Sequence, residues 1–155
     1  MIARRTFLLA AAALPFGARA HHGWSSFDQD RPLFLQGRVV SVKWQNPHAE
    51  LVVELPADYR LPADVASRET PAQSAGIDGK ALLARAAAPS RKDRRWEIEL
   101  APLTRLEAWK VAPVKVGDTI GVLGYTFKEE KGEPILRAEY LYSDGKAYGL
   151  RSSPA

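Results

Sequence analysis

Histidine is the residue type through which this chain could do chemistry, and there are three: His21, His22 and His48. There is no cysteine, which excludes thiol nucleophiles, cysteine-ligated zinc, iron–sulfur clusters and disulfides. Any bound metal must therefore use nitrogen and oxygen. His21 and His22 follow Ala18-Arg19-Ala20, a small-residue pattern of the kind that precedes signal cleavage. A cut after Ala20 makes His21 the amino terminus, where one residue offers an α-amine and an imidazole, both donors suited to a borderline metal ion. The amine, with an ordinary pKa of about 7.7–8.0, gives up its proton at pH 7 for about 1 kcal/mol, a small cost for a chelate. His22 offers its own imidazole or an amide nitrogen beside the amine and ranks below His21. The plainer alternative is a frayed terminus in which neither histidine binds anything.

His48 closes the corner Asn46-Pro47-His48. On its own it reads as a turn histidine bonded to backbone. The only three histidines fall at two loci, however, and the strand between them could bring the terminus and the corner together, so that His48 supplies a third nitrogen. Glu50 shares the side of His48 on an extended chain, where it would orient the imidazole or offer an oxygen. As an alternative, Glu50 is an exposed strand carboxylate. Trp24 lies beside the histidines and outside any expected strand, placed to shield a site. The other tryptophans, Trp44, Trp96 and Trp109, read as core. Nitrogen-rich ligation and the Irving–Williams order favour Cu(II), and an amine-bearing site suits tetragonal geometry. Copper is accordingly the first cofactor to expect, with no cofactor as the alternative. His21 and His48 resemble a histidine brace of the kind that supports copper oxidation chemistry, but no substrate surface is evident. A Gly-rich phosphate loop, a Gly-x-Ser-x-Gly elbow and a His-Glu-x-x-His helix are all missing, so the sequence offers few routes to an enzyme.

The elements that must position these residues begin after an export signal. Residues 1–20 combine a basic start, an apolar run from Phe7 to Phe16 and small residues at 18 and 20. Arg4-Arg5 ahead of the run resembles a twin-arginine signal, and the run is too short to span a bilayer. Cleavage takes Arg4, Arg5 and Arg19 from the 22 basic residues, leaving 19 against 18 acidic, and net charge falls from +4 to +1. The mature chain thus lacks the basic excess that nucleic acid would require, and no transmembrane segment is expected in it. Residues 21–155 suit one soluble periplasmic domain able to bury about two thirds of its unfolded surface.

Residues 33–44 read as a long strand with a bend at Gly37. Residues 49–55 alternate, with Leu51, Val53 and Leu55 on one face. Half of residues 56–93 are Ala, Pro, Gly or Ser with no sustained period, which predicts a surface insertion rather than a second core, with a short helix over 79–88. Alternation returns at Trp96, Ile98 and Leu100, with Glu97 and Glu99 facing out. Pro102 opens a short helix through Trp109, with Leu103, Leu106 and Trp109 on one stripe. Thr119 to Phe127 and Ile135 to Tyr142 form a hairpin, with Leu136, Ala138, Tyr140 and Tyr142 sharing a face. Five strands with a helix between the third and fourth fit a small, partly open all-β barrel of OB type, with a β-sandwich as the alternative.

His21-His22-Gly23-Trp24, Gly37-Arg38-Val39 leading to Trp44-Gln45-Asn46-Pro47-His48, Trp96-Glu97-Ile98-Glu99-Leu100, and Gly117-Asp118-Thr119-Ile120 with Gly124-Tyr125 together resemble a family of short exported bacterial proteins known as domain of unknown function 6152. The resemblance implies no activity. The chain departs from it in a longer insertion at 56–93 and in Ala108-Trp109, where Gly-Trp is usual. Neither departure touches the histidines. Two functions of different class follow: a periplasmic protein binding a divalent metal, or a metal-free module whose barrel holds an envelope partner, a peptide or a glycan.

Overall fold

The computed structural model describes residues 22–155; the expected export signal over residues 1–20 and His21 lie outside them. Strands β1 (Leu33–Lys43), β2 (Glu50–Glu54), β3 (Arg95–Glu99), β4 (Thr119–Tyr125), β5 (Ile135–Ser143) and β6 (Lys146–Gly149) follow in order, with helix α1 (Gly79–Arg85) after β2 and α2 (Leu103–Ala108) after β3. β1 is antiparallel to both β2 and β4, β2 to β3, and β4 to β5. A parallel pairing of β3 with β5 then closes the ring. The result is a closed five-stranded, OB-like barrel with the short helix α2 between its third and fourth strands, and among the described residues no helix is long and apolar enough to cross a membrane.

Period-two alternation sets the two sides of the barrel wall. Leu35 and Val39 of β1, Leu51 and Val53 of β2, Trp96 and Ile98 of β3, and Ile120 and Val122 of β4 belong to one buried cluster, the barrel interior. Leu106 of α2 is buried in the same cluster, and Leu103 and Trp109 pack against it, as the helical stripe requires. β1 serves two partners at once: Gly37 faces Ile120 of β4, and Arg38 pairs with both Thr119 and Glu54. A Cβ on Gly37 would press into the Glu54 carbonyl, so the close approach of β1 and β2 there requires glycine. A bulge between Val39 and Ser41 follows, adding the local twist that a small barrel needs.

Three features differ from the sequence expectation. First, β5 does not keep one face: its pairing with β4 slips so that Leu123 faces Tyr140 and Gly124 faces Ala138. Glu139 is the bulged residue. Beyond it the phase inverts, and Leu141 joins the interior with Leu136 and Ala138 while Tyr140 turns outward. Second, β6 extends the sheet beyond the barrel through the tight turn Asp144-Gly145, both residues at positive φ, a geometry that Asp-Gly favours. Third, residues 56–93 contribute to a second core. Val65, Leu82 and Leu83 are buried with Phe27, Phe34, Leu123, Tyr125 and Tyr140. Phe34 alternates with the interior residues Leu33 and Leu35, so this cluster lies on the outer wall and the insertion covers it. Helix α1 supplies the two leucines, with Asp78 accepting the Ala81 N–H at 3.0 Å as its cap.

Because Leu83 is buried against the outer wall, Leu83→Ala is expected to lower stability by about 2–4 kcal/mol. Urea unfolding of the variant would measure it, and a loss below about 0.5 kcal/mol, typical of an exposed site, would show that the insertion covers nothing.

Candidate functional site

Cross-strand register builds a polar row on the outside of the barrel. Lys43 of β1 pairs with Glu50 of β2, Glu50 with Glu99 of β3, Glu99 with Arg137 of β5, and Arg137 with Tyr125 of β4. Paired residues share a face, so the row crosses all five barrel strands. Its charges alternate only in part, and the two central carboxylates are held by partners at either side. The Arg137 guanidinium donates to Glu99 at 3.1 Å, and Lys43 reaches Glu50 at 3.5 Å.

His48 joins this row at its carboxylates. The corner is fixed from both sides: the Asn46 side-chain oxygen accepts the Leu103 N–H at the start of α2, and Ala49 exchanges backbone bonds with Ala101 and Leu100. The imidazole is only 7% exposed. Its Nε2 lies 3.3 Å from Glu50 Oε1 and 4.0 Å from Glu99 Oε1. Glu99, expected to face solvent, is on the outer wall but 4% exposed beneath Arg137.

The other end of the row carries Trp24. This residue opens a single 3-10 turn, Trp24–Ser26, and its carbonyl accepts from Phe27 N and from the Gln29 side chain. Its indole stands edge-on to Tyr125, and two guanidiniums lie over it, Arg151 at 3.6 Å and Arg137 at 4.9 Å from the ring centre. Arg151 in turn holds Glu139, the bulged residue of β5, through contacts of 2.6 and 3.0 Å. Glu139 is fully buried and also accepts from Gln73 of the insertion at 3.3 Å. Arg137, Glu139 and Arg151 escape sequence reasoning. The signal for Glu139 is present, since Leu141 falls out of phase with Leu136 and Ala138, which a bulge would explain.

His22 has an aromatic seat, edge-on to Phe127 at 5.1 Å and Phe27 at 6.2 Å. Among the described residues no group of three or more His, Asp or Glu side chains is spaced to hold a metal ion. His48 and Glu50 are thus brought together, Trp24 is linked to them through Arg137 and Glu99, and His21 lies outside the described residues. A separate open cleft of about 410 Å³ is lined by Gln36, Arg68, Thr119, Gly121, Tyr142 and Lys146, among others. In it Arg68 is stacked over Phe34 and Tyr142 and paired with Asp64.

Burial holds the phenols of Tyr59, Tyr125, Tyr140 and Tyr142 in the neutral form. It pushes Tyr59 up to about 12, and it raises Tyr125, with Glu139 adding to the effect and Arg151 opposing it. Tyr140 and Tyr142 are raised by burial as well. Unfolded phenols ionise near pH 10, so the stability these groups contribute is whole below about pH 10 and is lost as pH rises through about 12. A spectrophotometric phenolate titration should show most tyrosines ionising late and together with unfolding; smooth ionisation near pH 10 in the folded protein would contradict the buried outer wall.

No curated protein and no solved structure gives a significant match to this chain. The motifs from His21-His22-Gly23-Trp24 to Asn46-Pro47-His48 fall in one matched stretch. The family resemblance read from those motifs holds there: residues 8–60, which contain all three histidines, match the model of the Family of unknown function (DUF6152).

Proposed function

We propose that this is an exported envelope protein that binds a divalent metal ion, copper before others, through the processed amino terminus at His21 and the imidazole of His48, and that it carries or buffers the metal in the periplasm. The observation that carries this reading is the 3.3 Å between His48 Nε2 and Glu50 Oε1. Two donors each about 2.0–2.1 Å from one ion lie about 3–3.4 Å apart at tetragonal or tetrahedral angles. Without an ion the same contact is the close approach of a buried imidazole to a carboxylate. His48 and Glu50 are then half of a ligand set, and the described residues do not complete it. The α-amine and imidazole of His21 are the complement. Trp24 opens the first turn among the described residues, three residues after His21 in the sequence. His22, seated on Phe27 and Phe127, is the weaker candidate.

Export rests on the residue pattern of 1–20, and copper rests on nitrogen-rich ligation under the Irving–Williams order. A second reading is favoured by the cleft beside Arg68 and Tyr142: a metal-free module that holds an envelope partner, a peptide or a glycan there.

Calorimetric titration of Cu(II) into the protein beginning at His21, followed by electron paramagnetic resonance, tests the proposal. One ion per chain with nitrogen ligation is expected. Both His48→Ala and an added residue before His21 should weaken binding by about 100-fold or more, beyond the 10–100-fold typical of groups that only orient a ligand. Weak binding indifferent to both changes would sink the metal reading and turn attention to the cleft.

A further inference from the structure

We infer that the outer face around Arg38, Arg94 and Arg95 docks on a membrane surface rich in anionic lipid headgroups, its cations meeting the lipid phosphates and the exposed side chains of Leu61 and Val116 entering the headgroup layer. The inference is independent of the metal reading. A second cross-strand row builds this face: Thr119 of β4 pairs with Arg38 of β1, Arg38 with Glu54 of β2, and Glu54 with Arg95 of β3. Arg38, Glu54 and Arg95 each stand next in sequence to an interior residue, Val39, Val53 and Trp96, so alternation puts the row outside the barrel. Arg95 Nε donates to the Glu54 carboxylate at 2.9 Å, and Arg94 Nη2 lies 3.7 Å from it. Both arginine side chains are more than half exposed, at 69% and 54%. The Arg95 hydrogen bond holds the Glu54 carboxyl below the usual carboxylate range, with burial opposing it and the charges of Arg94 and Arg38 adding to it. One carboxylate thus serves three guanidiniums.

Two clefts carry the positive surplus further. One, of about 330 Å³, holds Arg38, Glu54, Arg94 and Thr119. The other, of about 250 Å³, holds Arg60, Arg91, Lys92 and Arg94 with Asp58 and Asp93, and the two meet at Leu55, Pro56 and Arg94. Row and clefts bring six cations, Arg38, Arg60, Arg91, Lys92, Arg94 and Arg95, against three carboxylates, Asp58, Glu54 and Asp93. That surplus of three exceeds the net +1 of residues 21–155, 19 basic against 18 acidic, so positive charge is concentrated here. Among the described residues two large hydrophobic side chains stand exposed, Leu61 at 37% and Val116 at 62%, and both adjoin this face. Leu61 follows Arg60 in a segment pinned to β1, where the Tyr59 hydroxyl donates to the Phe34 carbonyl at 2.7 Å. Val116 lies in the turn before β4. The Gly117 N–H donates to the Val39 carbonyl and the Val39 N–H to the Asp118 carbonyl, both at 2.8 Å, which holds that turn beside Arg38. A lone exposed leucine or valine needs no explanation. Two of them beside a surplus of arginine make the composition of a surface that lies on anionic lipid. Guanidiniums match phosphate oxygens two at a time, and the apolar side chains leave water. An acidic peptide would answer the charges but give Leu61 and Val116 nothing to cover them.

The test uses residues 21–155, which contain the whole described barrel, and sedimentation with vesicles of phosphatidylcholine alone or mixed with an equal part of phosphatidylglycerol. Binding to the mixed vesicles only, weakening as salt rises, is expected. Arg38, Arg60 and Lys92 make no side-chain hydrogen bond to the described fold, so replacing all three by Gln leaves the barrel intact. That triple variant should weaken binding by about 100-fold, about fivefold for each charge. The chain has no cysteine, so Val116→Cys gives a single attachment point for a polarity-sensitive dye. Its emission should shift to the blue on mixed vesicles, whereas the same dye at Gln45→Cys, in the exposed corner after β1, should not respond. No binding, equal binding to both vesicles, or binding unchanged in the triple variant would overturn the inference. Inorganic phosphate or poly-glutamate bound as tightly as the vesicles would also overturn it, assigning the face to free phosphate or to an acidic peptide.

Discussion

The parallel pairing of β3 with β5 is the constraint on which the rest of the structure depends. Three register pairs, Glu97 with Ile135, Ile98 with Leu136 and Glu99 with Arg137, turn an open antiparallel sheet into a ring. Ile98 and Leu136 face the interior, where they meet Trp96, Leu51 and Val122 in one buried cluster. The pairing joins segments far apart in sequence, so its loop-closure entropy must be offset by that burial. Glu99 and Arg137 are the outward members of the same closure, which is why an ion pair stands where β3 meets β5. Closing the barrel and building the polar row are one event.

The outer wall follows from that closure. Once β5 is held between β3 and β4, its bulge at Glu139 sets which residues of its second half face outward. Tyr140 turns to the outer cluster, and Glu139 is enclosed where Arg151 and Gln73 donate to it. Arg151 belongs to the segment after β6, which also gives Trp109 a carbonyl partner at Ser152 and pairs Ser152 with Gln73. This short segment ties α2, the insertion and the first turn to one another. The insertion is in consequence part of the folded wall.

Much of the barrel is legible in the sequence, because period-two alternation is a local property. Leu51 and Val53, or Trp96 and Ile98, announce both their strand and its inner face. The α2 stripe is equally local. What is not legible depends on register between distant strands. Nothing in the spacing of Glu50, Glu99 and Arg137 shows that they are neighbours, and reading Glu99 as solvent-facing is the natural result of alternation alone. The bulge at Glu139 defeats a single-face reading of β5 for the same reason: alternation assumes an unbroken ladder. Leu82 and Leu83 sit in an alanine-rich stretch whose composition hides their burial. The Asp144-Gly145 turn, in contrast, is a local signal for β6 that ending the hairpin at Tyr142 leaves out. Of the candidate site, the pairing of His48 with Glu50 follows from alternation, whereas the link from Trp24 to the corner exists only through the closed barrel.

The proposed role asks this barrel to hold the processed amino terminus, its amine deprotonated, beside the buried imidazole of His48. The most direct measurement is anomalous diffraction at the copper edge from crystals of the protein beginning at His21 and soaked with Cu(II). The account predicts one ion bonded to His48 Nε2 and to the α-amine and imidazole of His21, with Glu50 alongside. An ion bound elsewhere on the surface, or none at the His48 corner, would contradict it.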